Sequence, residues 1–549
     1  MKEKIFVFLG LAAAAFIAYR NCFGIDIPTD SYPLLMTFQK FGAAGLFHNF
    51  YDVGMAPFAD SIIFILYKLI GTNGSWWIFT SLLLHVNNAF LLHIAGKYFF
   101  QKAGIKHALQ LSLFSSLLFL LSPFQTEVIL WAPRMFNYHI ATGLFILSFY
   151  FLTKYHSEPS KKHFILLHGS FILAILSFES TLTFPLASIF FFVFFRLTGS
   201  NALPLKRFAT HVFIPQWAII ASYFLACKIW LGSWILHYGA STHLLFSIPL
   251  MMTNYVKYVA KFFLFYRYLP ASRSDFLHSF LHIDINNKLT ALFLISISIV
   301  LLGILFYRLF KKNREGSFAL LILMGIFLIS LLPVINLDTS FVGAVISDRY
   351  GYLPSVLFYL FIVLFIYLLF GKISVFANSM LVVISVFCLT QTVPLWIKAD
   401  AYCKRLINNF SPLIKTNQKI YVLNMPDNYN WILNFRNGFS DYFFLKKNED
   451  LFERVDVIAG FFVSSEHDSV LFTQQSANEF LVQAANSSSP KFLHHGIWIK
   501  SYSTKDYSVK PGSDCASYTL RFEPGISNPI LVYIAGDQWR KAKPTTGEQ

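Results

Sequence analysis

Residues 350–370 read YGYLPSVLFYLFIVLFIYLLF, a run without a charged side chain. A helix rises about 1.5 Å per residue, so roughly 20 apolar residues cross the hydrocarbon core of a bilayer. Such a helix satisfies its own backbone hydrogen bonds, as lipid requires. Apolar runs recur along the chain, near 4–20, 76–96, 107–122, 134–153, 163–178, 181–197, 209–231, 290–310, 317–335, 350–370 and 375–396. The sequence therefore predicts an all-α polytopic membrane bundle with about eleven transmembrane helices.

The composition agrees with this fold class. Of the 549 residues, 56% are hydrophobic and 13% are charged, whereas soluble domains have about 25% charged residues. Many of the residues behind the net charge of +16 lie in short loops between apolar runs, and no basic stripe with interleaved aromatic residues indicates a nucleic-acid surface. The five cysteines lack metal-ligand spacing. Cys403 and Cys515 either form a disulfide outside the cytoplasm or remain free thiols.

The lysines and arginines of the short loops predict the orientation. With the N-terminus inside, five consecutive inner loops are basic, as the positive-inside rule requires. These loops contain Lys97, Lys102 and Lys106; Lys154, Lys161 and Lys162; Arg196, Lys206 and Arg207; Lys311, Lys312 and Arg314; and Lys372. We expect a multi-pass protein of a bacterial inner membrane, with a retained first span and outer loops at 21–75 and 232–289.

Three other segments are apolar but are not predicted to be ordinary spans. The run 61–70 is too short to cross, and we expect it to lie in the membrane interface with the amphipathic stretch 34–50. Segment 244–268 carries Lys257 and Lys261 on one helical face. This pattern favours a surface-lying or re-entrant helix, with a charged crossing helix inside the bundle as the alternative.

The composition becomes mixed and polar after the last apolar run. We therefore divide the chain into a membrane domain, 1–398, and a soluble domain, 399–549. Short β-like runs at 419–423, 455–462 and 530–534, with a helix at 428–445, predict a small α/β fold. Eleven crossings place this domain outside the cytoplasm.

Mapped onto this topology, the outer ends of the spans collect ionisable and polar residues. They are Asp26 and Asp30 after the first span, Glu127 and Arg134 between the third and fourth, Glu179 between the fifth and sixth, and Asn336 and Arg349 between the ninth and tenth. Ionisable groups at membrane depth usually mark function, although solvated loop residues and interfacial arginines also occupy such positions. His85 lies within a span, where it serves as an interhelical hydrogen-bonding residue or as a functional group.

Carboxylates and arginines at an outer membrane surface suit a lipid-phosphate-linked sugar as substrate. An arginine can bind the phosphate by paired charge-assisted hydrogen bonds and stabilise it as it leaves. A carboxylate can take the proton from the attacking hydroxyl. Such a reaction requires no nucleotide, in keeping with the absence of nucleotide-binding motifs in the sequence.

Five stretches in order resemble the GT-C class of polyprenyl-phosphate-sugar-dependent glycosyltransferases. The similarity is to the transmembrane tetratricopeptide-containing O-mannosyltransferases and their bacterial relatives, and it covers roughly residues 1–370. The stretches are Leu82–Asn87 with His85; Pro123, Glu127, Trp131 and Arg134; Glu179 with Pro185, where Phe178 replaces the usual Lys; Pro333–Asn336; and Arg349–Pro354 with Tyr350.

The resemblance implies a fold, an activity and roles for residues. It implies that Asp30 is the essential acid, with Ser31 where a second acid often stands and Asp26 as a substitute. The implied activity is an inverting transfer of a sugar from a polyprenyl phosphate to a hydroxyl of a protein, lipid or surface glycan. Arg134 and Arg349 would bind the donor phosphate, and Glu127, Glu179, His85, Tyr350 and Asn336 would support the site.

The C-terminal segment departs from that family. The tetratricopeptide tail is absent, so the resemblance leaves the acceptor open, and the sequence leaves metal dependence open. A transporter or flippase of lipid-linked saccharides and a non-catalytic scaffold presenting the C-terminal domain remain alternatives.

Overall fold

In the computed structural model, the described residues are 2–26, 29–47, 56–198, 203–232, 234, 247–264, 303–335, 348–415, 418–430, 432–463, 467–485, 492–494, 497–526 and 529–542. The predicted site residue Asn336, most of the predicted outer loop 232–289 and the first part of the predicted span 290–310 lie outside them.

Helices form most of the first 410 residues, as the apolar runs predict. They are α1 (Lys2–Tyr19), α2 (Ser31–Phe41), α3 (Pro57–Ile70), α4 (Gly74–Lys102), α5 (Ala108–Leu121), α6 (Thr126–Leu130), α7 (Phe136–Ser157), α8 (Lys161–Ile175), α9 (Phe184–Leu197), α10 (Leu205–Phe208), α11 (Ile214–Leu231), α12 (Ile248–Leu264), α13 (Arg314–Ser330), α14 (Tyr352–Phe370) and α15 (Ser374–Phe410). Residues 303–312 are also helical.

Length and composition identify a membrane protein. Among the described residues, six helical segments are long and apolar enough to cross a bilayer, or seven if the bent pair of α5 with Pro123–Leu130 counts as one span. One of the six, Asp348–Phe410, turns at Gly371 into α14 and α15. Helix α3 is not among the candidates. The count of eleven crossings stays a prediction.

Helix α12 differs from the expected surface-lying helix. Lys261, expected on an exposed charged face, is buried, and its Nζ lies 3.5 Å from Oδ1 of Asp348. The amide of Asn254 on the same helix donates to the carbonyl of Ile335 at 2.6 Å. Lys261 is therefore buried against the bundle, where an opposite charge compensates it. Whether this helix is re-entrant or crosses the membrane stays a prediction.

Helix α15 is longer than the predicted span, which was expected to end at 396. It continues to Phe410, past the expected domain boundary at 398. Ala399, Tyr402, Cys403 and Leu406 are buried along its last turns, a spacing typical of one helical face. This helix carries the chain from the bundle into the C-terminal domain.

Three small sheets form the C-terminal domain. Their fourteen described strands are β1 (Ile420–Val422), β2 (Met425–Tyr429), β3 (Ile432–Leu433), β4 (Val455–Val457), β5 (Gly460–Val463), β6 (Val470–Ser476), β7 (Glu479–Ala484), β8 (Phe492–His494), β9 (Ile497–Trp498), β10 (Tyr502–Ser503), β11 (Tyr507–Pro511), β12 (Ser517–Phe522), β13 (Ile530–Ala535) and β14 (Gln538–Lys541). The sheet orders are β14-β13-β1-β4, β10-β11-β12-β7-β6 and β3-β2-β5-β8-β9.

The domain contains less helix than predicted. Strand β1 runs parallel to β13 and β4, but the helix expected at 428–445 is wrong over most of its length. Only α16 (Phe439–Tyr442) and the π-turn Phe443–Lys447 are helical there. Asn430 and Gly438 have positive φ, which ends a right-handed helix.

One hydrophobic core runs through the bundle and the C-terminal domain. A second, smaller cluster includes Leu35 and Phe38 of α2, Ile63 of α3, Trp77 of α4 and Phe136 of α7. Leu445 of the C-terminal domain packs against both clusters. The α2–α3 layer thus lies between one end of the bundle and the domain.

Candidate functional site

The basic loops meet at one end of the bundle. Nζ of Lys97 lies 2.8 Å from Oε1 of Glu3, next to the start of α1. Nζ of Lys154 lies 4.2 Å from the centre of the Tyr98 ring. The candidate site residues Asp26, Asp30, Glu127, Arg134 and Arg349 lie at the opposite end.

The Asp26 carboxylate is held by groups from two parts of the chain. Its Oδ1 accepts a hydrogen bond from the Tyr32 hydroxyl, and its Oδ2 lies 2.9 Å from Nζ of Lys446. The Asp26 backbone N–H donates to Oδ1 of Asp400 at 2.6 Å. Asp400 in turn pairs with Lys404 at 2.6 Å. Asp26 is therefore fixed at the junction of the bundle and the C-terminal domain.

Asp30 lies immediately before α2 and makes no capping bond to it. Its Oδ1 instead accepts a hydrogen bond at 2.5 Å from the side-chain amide of Asn437 in the C-terminal domain. Pro28 of the same loop lies outside the described residues. Both carboxylates of the predicted first outer loop thus contact the C-terminal domain.

Ser31, which stands where the family often has a second acid, ties the loop to the segment after α6. Its Oγ donates to the Ala132 carbonyl at 3.2 Å and accepts the Arg134 backbone N–H at 3.4 Å. The Arg134 guanidinium has no hydrogen bond or ion pair with any residue that the structure describes. It remains able to bind an anion.

Asp60 on α3 is an acid that the sequence reasoning missed. Its Oδ1 is buried without a hydrogen-bond partner among the described residues. Burial raises the pKa of Asp60 to about 6, and the nearby Arg134 guanidinium opposes the rise. No motif surrounds Asp60, and the sequence signal available was an acid directly before a short apolar run.

Arg349 differs from Arg134, because its charge is already compensated. Its Nη1 lies 2.5 Å from Oε1 of Glu127, and its backbone N–H donates to Oε2 of the same carboxylate at 2.8 Å. The guanidinium lies 5.3 Å from the Trp131 ring centre and 4.7 Å from that of Tyr350. Four residues of two separate family-like motifs therefore form one cluster.

Glu179 follows Phe178, and aromatic rings lead from Phe178 towards Tyr350 of this cluster. Its Oε1 accepts a hydrogen bond from the Tyr223 hydroxyl at 3.1 Å. The Phe178 ring lies 4.1 Å from that of Tyr138, which is 6.4 Å from the Tyr350 ring. No described contact joins Glu179 directly to Asp26 or Arg134.

His85 belongs to a buried polar network centred on the Tyr352 hydroxyl. Nε2 of His85 faces the Leu120 carbonyl at 3.2 Å, and a carbonyl only accepts, so this nitrogen carries the proton in a neutral ring. Its Nδ1 then accepts the Tyr352 proton at 2.8 Å. The Tyr352 oxygen accepts from Nδ1 of His139 at 2.7 Å and from Asn88 at 3.3 Å. His85 therefore acts as an interhelical hydrogen-bonding residue.

A narrow cleft with a cavity volume of about 20 Å³, roughly the room that one water molecule needs, lies beside the predicted first outer loop. Asp26, Ser31, Tyr32 and Trp77 line it, together with Pro133, the neighbour of Arg134. Asp30 does not line it. The cleft thus places Asp26 beside the chain segment that continues into Arg134. A carboxylate and an arginine are the group types needed for proton removal and phosphate binding.

No family model matches this sequence, and no curated protein matches it significantly.

Proposed function

We propose that this protein is an inverting membrane glycosyltransferase of the GT-C type. It transfers a sugar from a polyprenyl-phosphate donor to a hydroxyl acceptor on the extracytoplasmic side of the membrane. The observation that supports this proposal best is the cleft lined by Asp26 and Pro133, because the next residue, Arg134, has a guanidinium without a hydrogen bond or ion pair among the described residues.

In the proposed reaction the donor's lipid tail stays in the bilayer and its phosphate lies at the interface. Arg134 binds the phosphate by charge-assisted hydrogen bonds. The acceptor oxygen attacks the anomeric carbon from the face opposite the phosphate and loses its proton to a carboxylate. The carbon–oxygen bond to the phosphate breaks, and the leaving phosphate keeps the electron pair, which Arg134 stabilises.

Asp26 is the base in this proposal because its carboxylate lines the cleft. The family resemblance instead aligns Asp30 with the essential acid. Arg349 is assigned a secondary role, since Glu127 already balances its charge. The acceptor class stays open, and no described contact favours a transporter over the enzyme.

The test is sugar transfer by the purified full-length protein in lipid nanodiscs. Labelled polyprenyl-phosphate hexoses serve as donors, and a cell-envelope extract supplies acceptors. Loss of a general base lowers the rate by about 10²–10⁴-fold, so we expect Asp26→Asn to nearly abolish transfer while donor binding persists. Asp30→Asn is the matched control and retains activity.

The opposite result, with Asp30→Asn inactive and Asp26→Asn active, would assign the base to Asp30. Full activity in both variants would contradict a catalytic first outer loop. If the unaltered protein transfers no sugar from any of these donors, the glycosyltransferase proposal fails.

A further inference from the structure

Lys446 reaches the candidate base from the C-terminal domain. It is the penultimate residue of the π-turn Phe443–Lys447. Its Nζ lies 2.9 Å from Oδ2 of Asp26, with both side chains about four-fifths buried. Charge pairs that are partly removed from water interact more strongly than pairs on an open surface. Lys447, the next residue, is exposed and has no described partner. Of the two lysines in this turn, Lys446 is thus the one that pairs with Asp26 among the described residues.

Tyr442 of the same segment supports the second hydrogen bond to Asp26. Its ring lies 4.9 Å from that of Tyr32, nearly edge-on, and the Tyr32 hydroxyl donates to Asp26. The C-terminal domain therefore contacts both oxygens of the carboxylate, one directly and one through a packed tyrosine.

The Asn437-Gly438 turn lies directly on the loop that carries both acids. Gly438 has φ +81°, and a Cβ there would approach the Thr29 carbonyl oxygen and Cδ of Pro33 to 2.7 Å. Asn437 donates to Asp30 at 2.5 Å. A side chain at 438 would therefore be strained by its backbone and would also displace the loop.

The other side of the loop is equally close to the bundle. A Cβ at Gly74, the first residue of α4, would lie 2.7 Å from the Ile25 carbonyl oxygen and 3.3 Å from Oδ1 of Asp26. The loop is thus enclosed between a glycine of the bundle and a glycine of the C-terminal domain.

We infer that the C-terminal domain is part of the active site, with Lys446 as a positioning residue for Asp26 and the Asn437-Gly438 turn as the contact that fixes the acidic loop. This inference deepens the proposed function and rests on it for the role of Asp26. The contact itself is tested without any assay of transfer.

Hydrogen–deuterium exchange of the full-length protein tests the contact. Gly438→Ala, or Lys446→Met if Gly438→Ala does not fold, should increase exchange in peptides covering 24–41 and leave α7 unchanged. Gly525→Ala is the matched control, since a Cβ there meets nothing within 4 Å. Unchanged exchange at 24–41 in the folded variant overturns the inference, whatever the activity of the protein.

The kinetic constants of transfer test the positioning role. A misplaced catalytic group costs up to about 10²-fold in rate. We therefore expect Lys446→Met to lower kcat by about 10–100-fold with little change in the KM for the donor, and Lys446→Arg to restore kcat in part, because a cation at this position can still pair with Oδ2 of Asp26. Lys447→Met keeps the original kcat.

The two measurements separate the possible failures. If exchange changes but the unaltered protein transfers no sugar, the contact stands and the proposed function fails. If the protein is active and Lys446→Met keeps the original kcat, Lys446 has no positioning role.

Discussion

Arg134 and Arg349 show how two residues of the same type, found by the same sequence argument, differ in their surroundings. Both follow or precede apolar runs near acids. The Arg349 side chain forms an ion pair with Glu127 and packs on Trp131, whereas Arg134 pairs with no carboxylate that the structure describes. Arg134 therefore has guanidinium N–H groups available to a phosphate, although the buried Asp60 lies nearby.

We therefore predict that Arg134→Ala weakens donor binding. A hydrogen bond to a charged group contributes about 1.5–3 kcal/mol, which corresponds to roughly a 10–100-fold rise in Kd. Arg134→Lys should restore part of the affinity, since lysine cannot make the planar bidentate contact. The measurement is equilibrium binding of a polyprenyl-phosphate sugar to the protein in nanodiscs.

Arg196→Ala is the matched control for this binding measurement. This arginine belongs to the basic end of the bundle, where its guanidinium lies 5.7 Å from the Phe192 ring centre. Equal affinities of the Arg134→Ala variant and the unaltered protein would remove Arg134 from the proposed site.

At this scale the sequence predicts which polar residues of the membrane domain share an end, but not their partners. Glu127 and Arg349 are 222 positions apart, and Asp30 and Asn437 are 407 apart. Lys446 lies in a mixed polar segment where lysines are common, so nothing in the local sequence distinguishes it from Lys447. Asp60 belongs to no recognised motif. Contacts over such separations depend on how helices pack, which periodicity does not specify.

At the scale of the elements, hydropathy predicts helices well where the helix is buried in lipid or in the bundle. It predicts them poorly where a helix leaves the bundle or lies in the C-terminal domain. Helix α15 passes from the bundle into the domain, and the mean hydropathy falls near 397 although its buried face continues to Phe410. The failed helix at 428–445 contains an apolar and aromatic pattern interrupted by residues with positive φ. The positive φ angles of Asn430 and Gly438 interrupt the helix there.

The packing of α16 against α2 gives a prediction for stability. Asp441 on α16 is buried, and burial raises the pKa of its carboxyl to about 6 from an ordinary 3.8, against the opposing effect of Lys40 on α2. Because the pKa is higher in the folded than in the unfolded protein, the ionised carboxyl destabilises the fold at a pH above about 6. This destabilisation is lost as the pH falls towards the unfolded pKa of 3.8. A difference of about two units corresponds to at most about 3 kcal/mol.

Asp441→Asn should therefore raise the thermal unfolding midpoint in detergent at pH 7.5, and the gain should shrink as pH falls from 6 towards 4. Glu453→Gln, at an exposed acid of the same domain, should leave the midpoint unchanged at both ends of the range. A gain from Asp441→Asn that is the same at pH 7.5 and pH 4.5 would contradict a buried, titrating carboxyl.

At the scale of the whole molecule, the sequence predicts a helical membrane part followed by a separate soluble part. It does not predict that the second part lies on the first outer loop, because a composition boundary suggests a tether. The continuous α15, the shared core and the contacts of Lys446 and Asn437 make the domain and the acidic end of the bundle one unit. Lys97 and Lys154 lie at the opposite end of the bundle.

This two-ended arrangement yields a prediction about topology. Because basic ends face the cytoplasm, Lys447 should lie outside and Lys162 inside; both side chains are exposed. Of the five native cysteines only Cys515 is partly exposed, so single thiols are introduced in a Cys515→Ser background. In right-side-out vesicles a membrane-impermeant maleimide should modify Lys447→Cys at once and Lys162→Cys only after permeabilisation. The reverse pattern would place Asp26 and Arg134 in the cytoplasm and remove the basis for chemistry on the outer face.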